Sequence, residues 1–126
     1  METKKQEAAE KKRSGKYNCA QAIACTYCNE AGIDENTALN LGNAFVVGMG
    51  NMEGTCGALV GAGIILGLHH KDKVKSMQHM RQIMTKFQAR NGATQCKLLK
   101  GIETGKVLRE CHDCVADAAE FLEEVL

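Results

Sequence analysis

The amino-acid sequence predicts an all-α protein, a compact bundle of about five helices. The chain has no proline, 13 glycines and few aromatic side chains (4%), a composition typical of helices separated by glycine. Its 126 residues are enough to bury a core without disulfides, so we expect residues 1–126 to form a single cysteine-rich domain. Residues 1–15 carry many charges and could be a loosely attached or frayed helix.

The bundle is expected to surround a glycine-rich buried helix at about residues 55–69. Between Glu53 and His69 the only ionisable side chain is that of Cys56, which indicates burial. Thr55 is the expected N-cap residue. Cys56 would then be the first helical residue, where the helix dipole and free N–H groups favour a thiolate.

Four glycines of this helix recur at intervals of four residues, Gly57 with Gly61 and Gly63 with Gly67. Residues four apart lie on the same face of a helix. We therefore expect two strips without side chains, along which neighbouring backbones can approach closely.

A preceding helix should run from an N-cap at Asn18 to about Ala31. Gln21, three residues after Asn18, can complete a capping box, and Gly32 is a typical C-terminal residue. This start makes Cys19 a second cysteine at a first helical position. Asp34 should cap the next helix, at about residues 35–47, with an inner face of Ala38, Leu41, Ala44 and Phe45.

Two amphipathic helices are expected after the glycine-rich one. The first, Lys71–Arg90, has an inner stripe of Val74, Met77, Met80 or Arg81, Met84 and Phe87. The second, Thr104–Leu126, has an apolar stripe that begins at Val107. Its outer face is acidic and that of the first helix is basic, so the two could lie side by side. Between them, Thr94 can cap a short helical turn that contains Cys96.

Charge and cysteine content limit the function. The formal net charge of +1 predicts neither a nucleic-acid nor a membrane partner, and the longest uncharged run is too short to span a bilayer. The N-terminus lacks a secretory pattern, so a cytoplasmic location is expected. Seven cysteines in such a protein favour metal binding or redox chemistry over structural disulfides.

The pair Cys25-x-x-Cys28 is a weaker candidate for chemistry. It lies late in a helix rather than at the N-terminus, where redox dithiols have lowered pKa values, and Asn29 replaces the histidine of a covalent haem site. The two are expected to be half-buried small residues, with accessory metal ligation as the alternative.

Several short motifs resemble one known family. They are Asn18-Cys19-Ala20-Gln21-Ala22, Cys56-Gly57-Ala58-x-x-Gly61, Cys96-x-Leu98-Leu99, and Cys111 leading into Val115-x-x-Ala118-Ala119-Glu120. In this order they resemble the redox-active family named for its C_GCAxxG_C_C pattern, over residues 8–126. The resemblance implies a small helical redox protein, common in anaerobic bacteria and often encoded near transporters.

The resemblance also selects the site residues. It implies that Cys19, Cys56, Cys96 and Cys111 form the redox-active and metal-binding set, with Gly57 and Gly61 beside any cofactor. Cys25, Cys28 and Cys114 are additions of this chain, and Cys114, one turn from Cys111, could serve as a spare ligand or a resolving thiol.

The expected function is electron transfer or redox sensing through these four cysteines, which would bind an iron–sulfur cluster or another thiolate-bound metal. A thiol–disulfide oxidoreductase and a non-redox metal-binding module are the alternatives, so the sequence does not decide whether the protein is an enzyme. Covalent haem is not expected. An electron-transfer or transporter-associated partner and a homodimer are both compatible with the sequence.

The helix-start positions predict an order of acidity among the thiols. In the reduced, metal-free protein, Cys19 and Cys56 should have lower thiol pKa values than Cys25 and Cys28, because the helix dipole and N–H groups stabilise the thiolate.

Overall fold

The structure is a computed structural model that describes residues 2–126, and over this range it is all-α, as predicted. The helices are α1 (Lys5–Arg13), α2 (Cys19–Thr26), α3 (Cys28–Ala31), α4 (Glu35–Leu41), α5 (Gly57–His70), α6 (Lys73–Asn91), α7 (Cys96–Lys100) and α8 (Cys111–Glu123). The expected count of about five helices is wrong. One expected helix is divided into two, and both the charged N-terminal run and the turn at Cys96 are helical.

Helix α2 begins with the predicted capping box. The Gln21 N–H donates to Asn18 Oδ1 at 2.8 Å, and the Asn18 N–H donates to Gln21 Oε1 at 3.0 Å. The expected single helix is interrupted at Tyr27, which is fully buried and donates its hydroxyl to Glu123 of α8. Helix α3 then ends at Gly32 with φ of 73°, the predicted glycine C-cap.

Helix α4 ends at Leu41 rather than near residue 47. Side chains of α2 bind the carbonyl groups at this end: Gln21 Nε2 donates to Leu39 O at 3.0 Å and Asn18 Nδ2 donates to Gly42 O at 2.8 Å. These bonds replace those that a longer helix would make. Of the four residues expected to face inward, only Ala38 is buried. Phe45 is half-buried, and Leu41 and Ala44 are exposed.

Helix α5 begins at Gly57, one residue later than predicted, with Cys56 as its N-cap residue. Thr55 is not the cap, because it pairs with Gln95 in an isolated antiparallel bridge. The helix packs against α2, α3, α6 and α8, and its buried side chains include Leu59, Ile65 and Leu66.

One of the two predicted glycine strips explains a close helix contact. A Cβ atom on Gly61 would lie 2.8 Å from Ala20 O and 3.0 Å from Ile23 Cβ, and one on Gly57 would lie 3.2 Å from Ala20 N. Helices α2 and α5 can therefore approach only because both positions are glycine. The second strip has no such role, since a Cβ on Gly67 would meet nothing within 4 Å.

Helices α6 and α8 lie side by side, as their opposite charges predicted. Lys86 pairs with Glu124 at 2.6 Å, and Arg90 pairs with Asp117 and Glu120 at 2.9 Å each. The inner stripe predicted for the start of α6 is wrong, because α6 buries its second half. Val74 and Met77 are exposed, whereas Ile83 and Phe87 are buried.

Helix α8 begins at Cys111, not at Thr104. The preceding chain folds back on α7: the N–H groups of Leu108 and Arg109 both donate to Leu99 O, at 3.0 and 3.4 Å. This return requires the left-handed backbone of Gly101, where a Cβ would lie 2.4 Å from Lys106. Val107, expected in the helical stripe, is consequently exposed.

Helix α1 packs on α8 and α2. Ala8 and Ala9 are buried, Lys5 pairs with Glu120 at 3.1 Å, and the Lys4 N–H donates to Glu123 at 2.8 Å. With this packing, Lys12 near the C-terminal end of α1 lies beside the site described below. Within residues 2–126 no helix combines the length and the apolar composition that a bilayer crossing requires.

Candidate functional site

Four helices start at cysteines that face the same region. Cys19, Cys96 and Cys111 are the first residues of α2, α7 and α8, and Cys56 is the N-cap residue of α5. Three of these helices have eight residues or more, so their N–H groups and dipoles contribute positive potential where the thiols lie.

Tertiary contacts bring these helix starts together. The Cys56 N–H donates to Thr94 O at 2.8 Å, and the Cys96 N–H donates to Gly54 O at 3.0 Å. These two bonds flank the bridge between residues 55 and 95 and fix the start of α5 beside the start of α7. The contact of α2 with Gly57 brings Cys19 to the same place, since a Cβ on Gly57 would lie 3.3 Å from Cys19 Cβ.

A small cavity of about 50 Å³ lies among these helix starts. Five thiols line it, and we refer to them as the thiol site: Cys19, Cys56, Cys96, Cys111 and Cys114. The loop 45–48 and three cationic side chains complete the wall, the cations being Lys12, Lys100 and Arg109. The cavity therefore combines thiols with positive charge.

Four of the five thiols follow one another in a chain of neighbours. Cys19 lies beside Cys111 and Cys56, and Cys56 also lies beside Cys114. Cys114 Sγ is in turn 3.9 Å from the carbonyl oxygen of Arg109. Cys19 and Cys111 are partly exposed, whereas Cys56 and Cys114 are only 5% and 2% exposed, so the chain runs from the surface into the core.

This chain controls the acidity of the thiols. The interaction with Cys111 lowers the pKa of Cys19, but the interaction with Cys56 and burial outweigh it and raise that pKa to about 12. The interaction with Cys114, with burial, raises the pKa of Cys56 to about 12. The interaction with Cys19, with burial, also raises the pKa of Cys111, and burial raises that of Cys96. All four are protonated at neutral pH.

The predicted order of acidity is wrong for Cys25. Burial raises the pKa of Cys25 to about 11, which is below the value of about 12 for Cys19 and Cys56. The helix-start effect is present, because the N–H of Ala58 lowers the pKa of Cys56. It is outweighed because thiols in contact cannot all ionise without repelling one another.

Cys25 and Cys28 lie outside this region. Neither lines the cavity, and Cys25 Sγ is instead 3.8 Å from the carbonyl oxygen of Glu35 in α4. Of the two glycines assigned to a cofactor, Gly57 lines the cavity, and Gly61 lies one turn further along α5, against α2.

The donor chemistry of the thiol site fits a thiolate-bound metal. Its sulfur atoms follow one another in a chain, however, and within residues 2–126 no three or more His, Cys, Asp or Glu side chains are arranged to hold one ion. Binding would require side-chain rotation and loss of the thiol protons.

The sequence did not indicate the cationic wall. Lys12 belongs to a charged run with no assigned function, while Lys100 and Arg109 lie at the end of α7 and before α8. The buried Ala8 and Ala9, on one face of that run, were the available signal that α1 packs and brings Lys12 inward.

Comparison with known proteins agrees with the motifs. No curated protein and no solved structure gives a significant match to the chain. A family model described as "Putative redox-active protein (C_GCAxxG_C_C)" matches residues 17–125. This range contains all four cysteine segments and extends over nearly the whole chain, so the protein belongs to the C_GCAxxG_C_C redox-active family.

Proposed function

We propose that this protein transfers electrons or senses redox state through the thiol site, and that Cys19, Cys56, Cys96 and Cys111 hold an iron–sulfur cluster or another thiolate-bound metal. One observation carries the proposal: cysteines at the starts of four helices line one cavity. A bound iron–sulfur cluster would supply one-electron exchange at this position.

The surrounding residues suit an anionic centre. Thiolate ligands carry negative charge, and the charges of Lys12 and Lys100 offset part of the rise in the pKa values of Cys96 and Cys111. Burial of several thiolates is costly without such compensation. The two lysines would therefore favour the ligand-competent form of the site.

Metal binding must release protons, because the cysteine thiols that would bind the metal are protonated in the metal-free protein. Protons must leave Cys19 and Cys56 in particular, whose pKa values are raised to about 12. We expect metal affinity to fall steeply as the pH is lowered, and the proton release can be measured with a pH indicator.

The test is anaerobic purification, followed by analysis of iron, sulfide and zinc and by a visible spectrum. We expect stoichiometric metal in the wild-type protein. Single changes of the four ligand cysteines to Ser should remove it. Cys25→Ser and Cys28→Ser are the matched controls, because both side chains lie outside the cavity, and these variants should retain the metal.

Two results would contradict this proposal. A metal-free wild-type protein purified anaerobically would exclude the metal centre, and loss of metal in Cys28→Ser but not in Cys19→Ser would place it elsewhere. Circular dichroism spectra would separate loss of a ligand from loss of the fold.

Thiol–disulfide exchange is the second candidate, and the chain of neighbouring thiols favours it. Cys19 lies beside Cys111 and Cys56 lies beside Cys114, so two disulfides could form between neighbours. This candidate predicts a colourless protein that gives up two electrons per disulfide, reversibly, to the disulfide form of a thiol–disulfide redox buffer.

A further inference from the structure

Cys114 is a fifth thiol in a site for which the family pattern requires four. It is the most buried of the five and lies at the inner end of the chain from Cys111 through Cys19 and Cys56. A spare ligand would need only to reach the cavity. Cys114 does more than this, because it lies beside Cys56, the second most buried of the five thiols.

We propose that in the metal-free protein these four thiols form a relay, which moves a disulfide inward from Cys19–Cys111 to a stable position at Cys56–Cys114. The relay rests on the same thiol site as the proposed function. It concerns a different state of that site, the one without metal, and so can be tested independently.

The relay begins with an external disulfide, RSSR, as the oxidant. The Cys111 thiolate attacks it, forming a mixed disulfide and releasing RS⁻. Cys19 then attacks Cys111 Sγ and releases the second RS⁻, so that two protein thiols are oxidised and RSSR is reduced to two RSH. Cys111 is the natural entry point because it is partly exposed, and Lys12 and Lys100 offset part of the rise in its thiol pKa.

Two internal exchanges follow, with no further oxidant. Cys56 attacks Cys19 Sγ, forming Cys19–Cys56 and releasing Cys111 as a thiolate. Cys114 then attacks Cys56 Sγ, forming Cys56–Cys114 and releasing Cys19. In each exchange one S–S bond forms and one breaks, and the proton of the attacking thiol passes to the leaving sulfur. Each attack joins two thiols that line the same cavity.

The inner disulfide should persist because reductants cannot reach it. Exchange requires direct approach of a thiolate to a disulfide sulfur, and Cys56 and Cys114 are 5% and 2% exposed. A disulfide at Cys19–Cys111 would remain accessible through the partly exposed Cys111. Moving the bond inward would also take Cys56 out of the metal-binding set, so oxidation would prevent metal uptake until the relay reverses.

The test uses reduced, metal-free, full-length protein oxidised with glutathione disulfide. Samples are quenched with acid and N-ethylmaleimide at successive times, and the disulfides are mapped by mass spectrometry. We expect Cys19–Cys111 and its glutathione adduct first and Cys56–Cys114 at the end. In Cys114→Ser the bond should remain at the outer positions, where glutathione should reduce it roughly tenfold faster than in the wild-type protein.

Cys28→Ser is the matched control and should give the wild-type order of disulfides. The relay is overturned if Cys56–Cys114 does not form. It is also overturned if Cys56–Cys114 forms in Cys19→Ser as fast as in the wild-type protein, since Cys19 would then carry nothing inward. Metal analysis of the wild-type protein is a separate measurement. The relay can therefore be confirmed when the metal-binding proposal is refuted, and the metal-binding proposal can be confirmed when the relay is refuted.

Discussion

The contact between α2 and α5 at Gly61 can be tested by adding a single methyl group. In Gly61→Ala the new Cβ would lie 2.8 Å from Ala20 O and 3.0 Å from Ile23 Cβ, whereas unstrained contacts between such atoms need about 3.5 Å. The neighbours are backbone and a β-branched side chain, so the helices would have to separate by about 0.5 Å. Overpacking of this kind costs about 2–3 kcal/mol.

The alanine also favours the helix itself, by about 1 kcal/mol relative to glycine. The net loss of unfolding free energy in Gly61→Ala is therefore about 1–2 kcal/mol. Gly67→Ala is the matched control, because Gly67 is exposed in the same helix and a Cβ there meets nothing within 4 Å. This variant should be more stable than the wild-type protein by about 0.5–1 kcal/mol.

Urea denaturation followed by circular dichroism, on reduced and metal-free protein, measures both variants. The two midpoints should lie on opposite sides of the wild-type value. Because Cys19 precedes Ala20 in α2, Gly61→Ala should also loosen the thiol site and speed the alkylation of Cys56. A Gly61→Ala variant as stable as Gly67→Ala would refute the argument that bare glycine positions hold these two helices together.

Three further predictions concern stability. Lys71 ends α5 with φ of 55°, so Lys71→Gly should raise the unfolding free energy by about 0.5–1 kcal/mol in urea denaturation, and a loss would contradict the left-handed assignment. Asp117 is 3% exposed and accepts from Arg90, Asn91 and Arg109; Asp117→Ala should cost about 2–4 kcal/mol, measured in the same way, because it leaves the buried amide of Asn91 unpaired. The pKa of Cys56 is raised from 9.0 to about 12, so the folded state holds this proton more tightly than the unfolded state, and the stability of the metal-free protein should fall between about pH 9 and pH 12, by about 1.4 kcal/mol per pH unit for this thiol; a flat profile over that range would show that the thiol is not buried as described.

Local features of the sequence were predicted well. The capping box at Asn18 and Gln21 and the C-cap at Gly32 involve only groups within a few residues of each other, so their geometry follows from local sequence. The same holds for Cys19 as a first helical residue and for Cys96 in the first turn of its helix. The family motifs are also local, and the four cysteines that they select are among those that line the cavity.

Helix ends that depend on distant contacts were predicted poorly. A hydroxyl residue before an apolar run predicts a cap at Thr55, but Thr55 pairs with Gln95, forty residues away in the chain. The apolar spacing predicts a start of α8 at Thr104, whereas the chain there folds back and donates hydrogen bonds to Leu99 O. Periodicity describes which face of a helix is apolar and does not reveal a competing backbone partner.

By itself the sequence determined the helical class, the family and the position of Cys19 at a helix start, because each rests on residue type and on spacing along the chain. Only the tertiary structure decided which thiols meet. It added Cys114 to the site, left Cys25 and Cys28 outside it, and brought Lys12 of α1 beside Cys111. Acidity was decided there too, since the pKa of a thiol depends on burial and on neighbouring charges, and both are set by parts of the chain that are far apart in sequence.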